Sequence, residues 1–404
     1  MQTIKVISLS FKNADVATRG QIQFSDEETL QFLAQFQQHT DIKSLVLLST
    51  CNRTELYFES SQFTSQQMIE AMFSFKNVWI SGHLLKVIET SEDASQYIME
   101  VASGLQSMVV GDKQIIQQVK KAYLFSQEKG LISGVFERLF QQVFRAFKRI
   151  SNETNFLKGS QSTSYLAVEH AKRLVGKQAK VLLIGAGEIA KDVVKYLTAQ
   201  GFDNVVVTNR TIAKAQAITQ QYENYYYLPF EHLSTYFSTF DVVISSVGVK
   251  GLIHEAYFQT AHYPKVLIDL AVPASIQIDT NSHSDIKLIN IDQLAERIHE
   301  NKVLSQQAIA EVNTIIEQEL GQFLKWFATL PVNAFLASLK QHYKSILTEK
   351  LKQHKQDLPE GVIDSMVAAL LKAPAVGLKS MAVQESVASI EQLTSIYQLQ
   401  NHLN

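Results

Sequence analysis

The sequence predicts an α/β protein with an N-terminal α/β domain, a doubly wound nucleotide-binding domain, and a helical C-terminal domain that follows a long connecting helix. Three observations predict this order. Short strands mix with amphipathic helices up to residue 155, strands and helices alternate from 165 to 291, and a run of helical spacing begins at 292. We therefore expect domains at 1–155, 160–291 and 292–404.

Composition excludes several functional classes. Of 404 residues, 46% are apolar and 19% are charged, and a net charge of −2 gives no broad basic field for DNA or anionic lipid. The single cysteine cannot form an internal disulfide, and the N-terminus lacks the regions of a signal peptide. No apolar stretch is expected to reach the length of about 18 residues that is needed to span a membrane. The sequence predicts a cytoplasmic protein with no membrane or DNA partner.

The N-terminal segment is expected to contain strands at 5–10, 45–50 and 84–89. A helix is expected at 115–123, with Asp112 as its N-cap, and a second helix carries an apolar stripe from Phe136 to Phe147. Residues 159–164 are typical of a linker, which would end this domain.

The middle segment carries a glycine-rich turn directly after a strand. Strands are expected at 180–184, 204–208, 241–247, 265–271 and 286–291, mostly as continuous Val, Ile and Leu runs that helices cover on both faces. The turn after the first strand is typical of a dinucleotide site and consists of Gly185, Ala186, Gly187, Glu188, Ile189 and Ala190. The alternative is a doubly wound domain without a dinucleotide.

The end of the second strand of this domain indicates which dinucleotide binds. An acidic residue there would bind the ribose diol of NAD, whereas this chain has Asn209, Arg210 and Thr211. Because Arg210 can pair with a 2′-phosphate, the sequence favours NADPH. The alternative for Arg210 is a solvated loop cation.

The C-terminal segment is expected to be helical throughout. A long helix at 292–327 has apolar residues at helical spacing, namely Leu294, Ile298, Leu304, Ala308, Val312, Ile315, Leu320, Phe323 and Phe327. A helix of this length is expected to dock on several domains or on a second subunit. In the segment that follows, the face expected to be buried carries Met366, Ala369, Leu370 and Leu371.

The lone cysteine, Cys51, is a candidate nucleophile. It follows a buried strand and is surrounded by the polar residues Thr50, Asn52 and Thr54. In an extended chain Cys51 and Arg53 project to the same side, where a guanidinium would favour the thiolate or hold a substrate carboxylate. The alternative is a small apolar core residue. A thiol together with a nicotinamide site favours a reductase that works through a thioester.

A second candidate site segment runs from residue 102 to 114 and leads into a helix. Its glycines, hydroxyls and amide would line a polar pocket, and the alternative is a structural loop. None of the 11 histidines forms a spaced pair resembling a zinc site, so we expect no metal.

Several motifs together resemble those of the glutamyl-tRNA reductase family, and the likeness runs nearly end to end. The matching residues are Ser10-Phe11-Lys12 with Arg19, and the runs 49–55, 101–118, 185–190, 209–211, 269–273 and 370–374. The resemblance implies that Cys51 attacks the ester carbonyl of glutamyl-tRNA. It also implies a glutamate pocket lined by Thr50, Asn52, Arg53, Ser107, Asp112, Lys113, Gln114 and Gln118.

Four residues depart from the family pattern. Tyr97 stands where the family has a histidine, Asp112-Lys113 replaces Glu-Pro, and Ala274 replaces an arginine. Tyrosine, with an unperturbed pKa of about 10, exchanges protons poorly near neutral pH. The resemblance thus places at a catalytic position a residue, Tyr97, that can donate a hydrogen bond.

The resemblance implies NADPH-dependent reduction of glutamyl-tRNA to glutamate-1-semialdehyde, the first step of 5-aminolevulinate and porphyrin biosynthesis from glutamate. It further implies a homodimer, channelling to glutamate-1-semialdehyde aminomutase, and no flavin. Two alternatives remain open. One is an NADP-dependent dehydrogenase of small metabolites without a covalent step, and the other is a dimeric regulator with a degenerate site.

Overall fold

The computed structural model describes residues 3–157, 163–259, 262–294, 306–356 and 358–384. By its internal contacts the chain separates into two units, Met1–Glu317 and Gln318–Asn404. The described residues of the first unit contain two large β-sheets and a two-stranded sheet with their helices, and helices make up the described part of the second.

The first sheet is antiparallel and has the strand order β2-β3-β1-β4. Its strands are β1 (Thr3–Ser10), β2 (Ser44–Ser49), β3 (Arg53–Ser60) and β4 (Lys86–Ile88). Strand β3 is buried along its whole length and pairs with β1 from Thr3↔Ser60 to Ser10↔Arg53. The sequence predicted the other three strands but missed β3, because its charged and aromatic residues form no continuous apolar run.

Helices cover this sheet and enclose a core rich in phenylalanine. They span Val16–Gln21, Asp26–Ala34, Ser65–Lys76, Ser91–Ala102, Ile115–Glu128 and Gly134–Glu153. The two predicted helices are confirmed, but the predicted N-cap at Asp112 is wrong. The N-cap position belongs to Gln114, whose backbone N–H donates to Asp112 Oδ1 at 2.9 Å.

The second sheet has six parallel strands in the order β12-β10-β8-β5-β6-β7, the order of a doubly wound nucleotide-binding fold. They are β5 (Val181–Ile184), β6 (Val205–Asn209), β7 (Tyr225–Pro229), β8 (Val242–Ser245), β10 (Val266–Asp269) and β12 (Lys287–Asn290). The five predicted strands are confirmed. The edge strand β7 was missed, since Tyr226 and Tyr227 are exposed and give it no buried pattern.

Helices Thr163–Val175, Glu188–Ala199, Ile212–Thr219 and Leu233–Tyr236 belong to this domain, and β9 (Ile253–His254) pairs with β11 (Ile276–Gln277) beside the sheet. The predicted linker at 159–164 is wrong at its end. Thr163 and Ser164 are buried in the first of these helices, and 158–162 lie outside the described residues.

The remaining helices span Gln306–Phe327, Leu330–Gln353 and Glu360–Gln384. The first confirms the predicted helix from 306 onward, while 295–305, including Ile298 and Leu304, lie outside the described residues. In the last helix the predicted buried face is wrong except at Leu371. Met366, Ala369 and Leu370 are exposed, and Val332, Phe335 and Leu339 pack against Ile363, Val367 and Leu371.

The last helix also corrects the expectation that no apolar stretch is long enough to span a membrane. Residues Glu360–Met381 meet that criterion by length and composition, and only 17% of the most apolar window is buried. This segment packs on a neighbouring helix along one face and leaves apolar side chains exposed along another. Such a pattern is also expected of a helix that is covered by a second protein chain.

Candidate active site at the domain boundary

Cys51 lies at the tip of the β-hairpin that joins β2 to β3. Cys51 and Asn52 are its central residues, and the Thr50 backbone N–H donates to the Arg53 carbonyl at 2.8 Å. The Thr50 hydroxyl oxygen accepts hydrogen bonds from the backbone N–H groups of Asn52 at 3.1 Å and Arg53 at 3.2 Å. Thr50 therefore stabilises the turn that presents the thiol.

Neighbouring elements hold this turn in place. The Phe11 backbone N–H donates to the Asn52 carbonyl at 2.9 Å, and Arg19 Nε donates to the Cys51 carbonyl at 3.3 Å. The expectation that Cys51 and Arg53 project to the same side of an extended strand is wrong, because Cys51 lies in the turn and Arg53 begins β3. The cation that contacts the Cys51 backbone is Arg19.

Arg53 is engaged in a buried charge network. Its Nη1 donates to Glu55 Oε1 at 2.9 Å, its Nη2 donates to the Gln106 carbonyl, and its side chain is 2% exposed. Glu55 is fully buried and also accepts hydrogen bonds from Ser8 Oγ and Tyr97 Oη, each at 2.8 Å, and from Tyr57 Oη. With its partners in place, Arg53 serves the fold of the hairpin.

Tyr97, at the family's histidine position, belongs to the same network. Its hydroxyl lies 2.8 Å from Glu55 Oε1 and 3.1 Å from Ser8 Oγ, and Lys86 Nζ lies 4.4 Å from the centroid of its ring. Burial and the nearby Glu55 raise the pKa of the Tyr97 hydroxyl far above its usual value. Tyr97 therefore keeps its proton throughout the neutral range.

The Cys51 side chain packs against an apolar cluster at the boundary between the two sheet domains. The cluster contains Phe11, Val16, Met108, Val272 and Ile291, of which the last two come from the nucleotide-binding domain. Burial raises the pKa of the thiol to about 11, with Arg19 lowering it and Asp112 raising it. In this arrangement Cys51 is a protonated thiol at neutral pH.

A cavity of about 700 Å³ lies beside this cluster, between the two sheet domains. Its lining includes four of the predicted substrate residues, Asp112, Lys113, Gln114 and Gln118, together with Glu188 and Ile189 of the glycine-rich turn. Among the described residues that line it, Ser49 comes nearest to Cys51 along the chain, two positions away. The structure thus brings the polar loop and the nucleotide turn to one cavity, whereas Cys51, which is half-buried, packs against the apolar cluster.

Two of the cavity residues connect the domains directly. Gln114 Nε2 donates to the carboxylate of Asp192, which lies in the helix that follows the glycine-rich turn. Burial raises the pKa of Asp112, and the charge of Asp192 raises it further. A ligand that separates Gln114 from Asp192 must therefore break the hydrogen bond between them.

The loop at 103–114 is built by two glycines in the left-handed region. Gly104 has φ +83° and Gly111 has φ +84°, and the Gly111 N–H donates to the Gly104 carbonyl at 3.0 Å. Ser107, 8% exposed, donates its backbone N–H to the same carbonyl. The segment is therefore both a structural loop and part of a polar pocket, the two alternatives that the sequence left open. Met108 packs in the cluster with Cys51, while Asp112 and Gln114 line the cavity.

The glycine-rich turn has the geometry of a dinucleotide site. Gly185 has φ +120°, and a Cβ there would lie 2.5 Å from Ser246 Oγ, whereas a Cβ on Gly187 would point into open space. Gly187 caps the helix Glu188–Ala199 without a side-chain hydrogen bond, which leaves its first N–H groups available for a pyrophosphate. Arg210 and Thr211 are exposed after β6, where the ribose phosphate would lie. These residues fit NADPH.

Sequence reasoning gave no role to Arg19, Glu55, Asp192 and Asp292. Asn52 Oδ1, by contrast, was part of the predicted pocket and is a buried acceptor that has no hydrogen-bond partner among the described residues. Arg19 and Asp292 contact each other across 273 positions of sequence. Arg19 and Glu55 lie in matching motifs, but a motif does not identify the partner of a side chain.

Comparisons with known proteins support these observations. Three family models match successive parts of the chain: the glutamyl-tRNAGlu reductase N-terminal domain at 7–154, shikimate / quinate 5-dehydrogenase at 169–297, and the glutamyl-tRNAGlu reductase dimerisation domain at 311–399. Glutamyl-tRNA reductase of Pseudoalteromonas atlantica is 30% identical over 401 residues, 95% of each chain. That of Aquifex aeolicus is 33% identical and covers 84% of this chain and 85% of its own.

A solved structure of glutamyl-tRNA reductase from Methanopyrus kandleri is similar in fold. It covers 98% of each chain at 24% identity, with a TM-score of 0.55. These matches confirm the resemblance found in the sequence and the fold class expected from it.

The buried pair generates a stability prediction. Glu55→Gln leaves the guanidinium of Arg53 without a counter-charge in a dry site, so we expect a loss of about 3–5 kcal/mol in unfolding free energy. Urea unfolding followed by circular dichroism measures it. Asp285→Asn, which breaks an exposed ion pair with Lys265, is the matched control and should cost far less, because solvent screens such a pair. Equal losses in the two variants would contradict the network's importance.

The raised pKa of Cys51 generates a pH prediction. Because only the thiolate is alkylated, the rate of Cys51 alkylation should rise about tenfold per pH unit through the neutral range. It should show no plateau below about pH 10. Iodoacetamide labelling followed by mass spectrometry reports on this residue alone, since the chain has one cysteine. A plateau near pH 8.5, as in an unperturbed cysteine peptide, would show that the thiol is not shielded.

Proposed function

Because this chain belongs to the glutamyl-tRNA reductase family, we propose that it reduces glutamyl-tRNA(Glu) to glutamate-1-semialdehyde with NADPH and releases the tRNA. The reaction would be the first step of 5-aminolevulinate and porphyrin biosynthesis from glutamate. The observation that carries the proposal is the position of Cys51, on a rigid hairpin tip at the boundary with the nucleotide-binding domain.

The covalent step takes place at Cys51. The sulfur attacks the ester carbonyl carbon, the new C–S bond forms as the bond to the tRNA ribose oxygen breaks, and that oxygen takes up a proton. NADPH, when bound, supplies a hydride to the thioester carbon. The C–S bond then breaks, the aldehyde leaves, and Cys51 returns to its thiol.

The nucleotide-binding domain would hold NADPH with the residues already described. The turn from Gly185 to Ala190 admits the pyrophosphate, and the free N–H groups that follow Gly187 bind it. Asn209, Arg210 and Thr211 lie at the end of β6, and Arg210 pairs with the 2′-phosphate.

The glutamyl group would bind in the cavity beside the thiol. Arg53 is committed to Glu55, so we assign the substrate carboxylate to Lys113, which lines the cavity. Gln114, Gln118 and the unpartnered Asn52 Oδ1 offer hydrogen bonds to the rest of the group. Ser107 and Thr50 shape the loop and the turn, and their contact with the substrate stays a prediction.

Activation of the Cys51 thiol depends on a nearby positive charge more than on Tyr97 as a base. Tyr97 keeps its proton and contacts Glu55, so we assign it a positioning role behind Arg53. Arg19 is the cation that lowers the pKa of Cys51. It would stabilise the thiolate once the apolar cover is lifted.

The C-terminal helices would form a homodimer interface. The family model that matches 311–399 is a dimerisation domain, and Met366, Leu370 and Val376 are exposed apolar residues in that range. Light scattering of the whole chain should therefore give twice its mass of 45.5 kDa, and a monomer at micromolar concentration would contradict the assignment. We further propose domains at 1–155, 160–291 and 292–404. We also propose a cytoplasmic location and channelling of the product to glutamate-1-semialdehyde aminomutase.

A single-turnover experiment tests the reaction. Glutamyl-tRNA labelled on glutamate is mixed with the parent and with Cys51→Ser, first without NADPH and then with it. The parent should trap the label and release it as an aldehyde when NADPH is added. Cys51→Ser, which replaces the sulfur by a poorer nucleophile, should trap and release at least about 10³-fold less, as expected for loss of a nucleophile that acts with its site as a unit.

NADH in place of NADPH is the cofactor control and should release the label more slowly. Aldehyde formed equally by Cys51→Ser would favour an NADP-dependent dehydrogenase without a covalent step. Bound tRNA with no trapped label and no aldehyde in the parent would favour a regulator.

A further inference from the structure

One short helix, Val16–Gln21, carries several contacts between the catalytic domain and the nucleotide-binding domain. Val16 packs on the apolar cluster that covers Cys51, and the next two contacts come from Arg19 and Gly20. None of these contacts belongs to the cavity or to the glycine-rich turn. The helix is therefore a separate point of attachment beside the thiol.

Arg19 connects three parts of the molecule. Its Nη2 lies 2.8 Å from Asp292 Oδ1, its Nη1 donates to the Ala14 carbonyl at 2.8 Å, and its Nε donates to the Cys51 carbonyl at 3.3 Å. Asp292 comes two residues after strand β12 of the nucleotide-binding domain. One guanidinium thus ties the thiol turn to the far domain.

Gly20 lets the two surfaces meet at short range. A Cβ at this position would lie 2.9 Å from Pro273 Cβ and 3.1 Å from Pro273 Cα, which the rigid proline ring cannot avoid. Pro273 follows Val272, the residue that covers the thiol. The contact of Gly20 therefore fixes how closely the cover sits on Cys51.

The cover belongs to a rigid segment. Asp269 is 3% exposed and its carboxylate accepts hydrogen bonds from the backbone N–H groups of Ala271, Ser275 and Ile276 at 2.7–3.0 Å. A loop held at both ends by one carboxylate does not swing away by itself. Uncovering the thiol requires the nucleotide-binding domain to move as a body.

We propose that Arg19 and Asp292 form a catch that holds the nucleotide-binding domain over Cys51 and must open before the thiol can accept an acyl group. This inference rests on the proposed function for its purpose, since the half-buried Cys51 packs against the cluster that contains Val272 and Ile291, and a tRNA ester needs the space that these side chains occupy. Asp292 is 29% exposed while Arg19 is 3% exposed, so water competes for the aspartate and the pair opens from that side.

Opening the catch also changes the charge beside the thiol. Arg19 keeps its bonds to the carbonyls of Ala14 and Cys51, which belong to its own domain, and loses the counter-charge of Asp292. The thiol then faces an uncompensated guanidinium and loses its apolar cover in the same movement. Both changes favour the thiolate at the moment when the substrate can enter.

Alkylation of the full-length chain by iodoacetamide at pH 8, followed by mass spectrometry, tests the catch without any tRNA. Asp292→Asn removes the ion pair, and Gly20→Ala forces the surfaces apart without changing charge. For each variant we expect on the order of a tenfold faster labelling of Cys51, the change that corresponds to about 1.4 kcal/mol of lost docking free energy. Asp292→Glu should restore a rate close to that of the parent.

Asp285→Asn, in the same domain but away from the boundary, is the matched control and should label at the parent rate. Circular dichroism shows whether each variant is folded. If Asp292→Asn is not folded, the labelling rate of Gly20→Ala decides the test. Parent-like labelling of the folded variants would overturn the catch. Failure of the proposed reaction would appear differently, as absence of aldehyde from the parent with glutamyl-tRNA, whatever the labelling rates.

Discussion

The carboxylate of Glu55 is the buried charge around which the catalytic hairpin is organised. It receives hydrogen bonds from Arg53, Ser8, Tyr97 and Tyr57 and is fully buried. These donors come from two strands and a helix, so one carboxylate joins β1, β3 and the helix Ser91–Ala102. A buried ion pair of this kind costs desolvation energy and gives a defined arrangement in return. Here the arrangement it defines is the register of β3, which sets where the hairpin tip and its thiol lie.

Two arginines near Cys51 divide the work that the sequence assigned to one. Arg53 is close to Cys51 in sequence, but its guanidinium donates hydrogen bonds to Glu55 and to the Gln106 carbonyl. Arg19 is distant in sequence but contacts the Cys51 carbonyl and reaches Asp292 of the other domain. Arg19, which lowers the pKa of the Cys51 thiol, is thus also the arginine that contacts the nucleotide-binding domain. Tyr97 can replace a histidine in such a site because its hydroxyl donates to Glu55 without exchanging its proton.

Local patterns predicted the parts of this protein whose burial is visible along a short stretch. The five predicted strands of the six-stranded sheet are mostly continuous apolar runs, and the glycine-rich turn is defined by backbone requirements at Gly185 and Gly187. Strand β3 was missed because its burial depends on charges that are satisfied by residues up to 74 positions away. The exposed apolar face of the last helix reversed the expected burial, since periodicity shows that a face is apolar and not which chain covers it. Contacts between domains, such as Arg19 with Asp292, leave no periodic signal at all.

The apolar cover over Cys51 answers two opposed requirements of the proposed chemistry. A thioester must be kept from water until hydride reaches it, which favours the closed cluster formed by Met108, Val272 and Ile291. The same sulfur must first meet an ester carried by a tRNA, which requires the cluster to be open. A cover on a flexible loop would satisfy the second requirement and weaken the first. Placing the cover on a rigid loop of the nucleotide-binding domain makes dryness depend on the position of that domain, so the thiol is shielded when the domain that brings the hydride is in place.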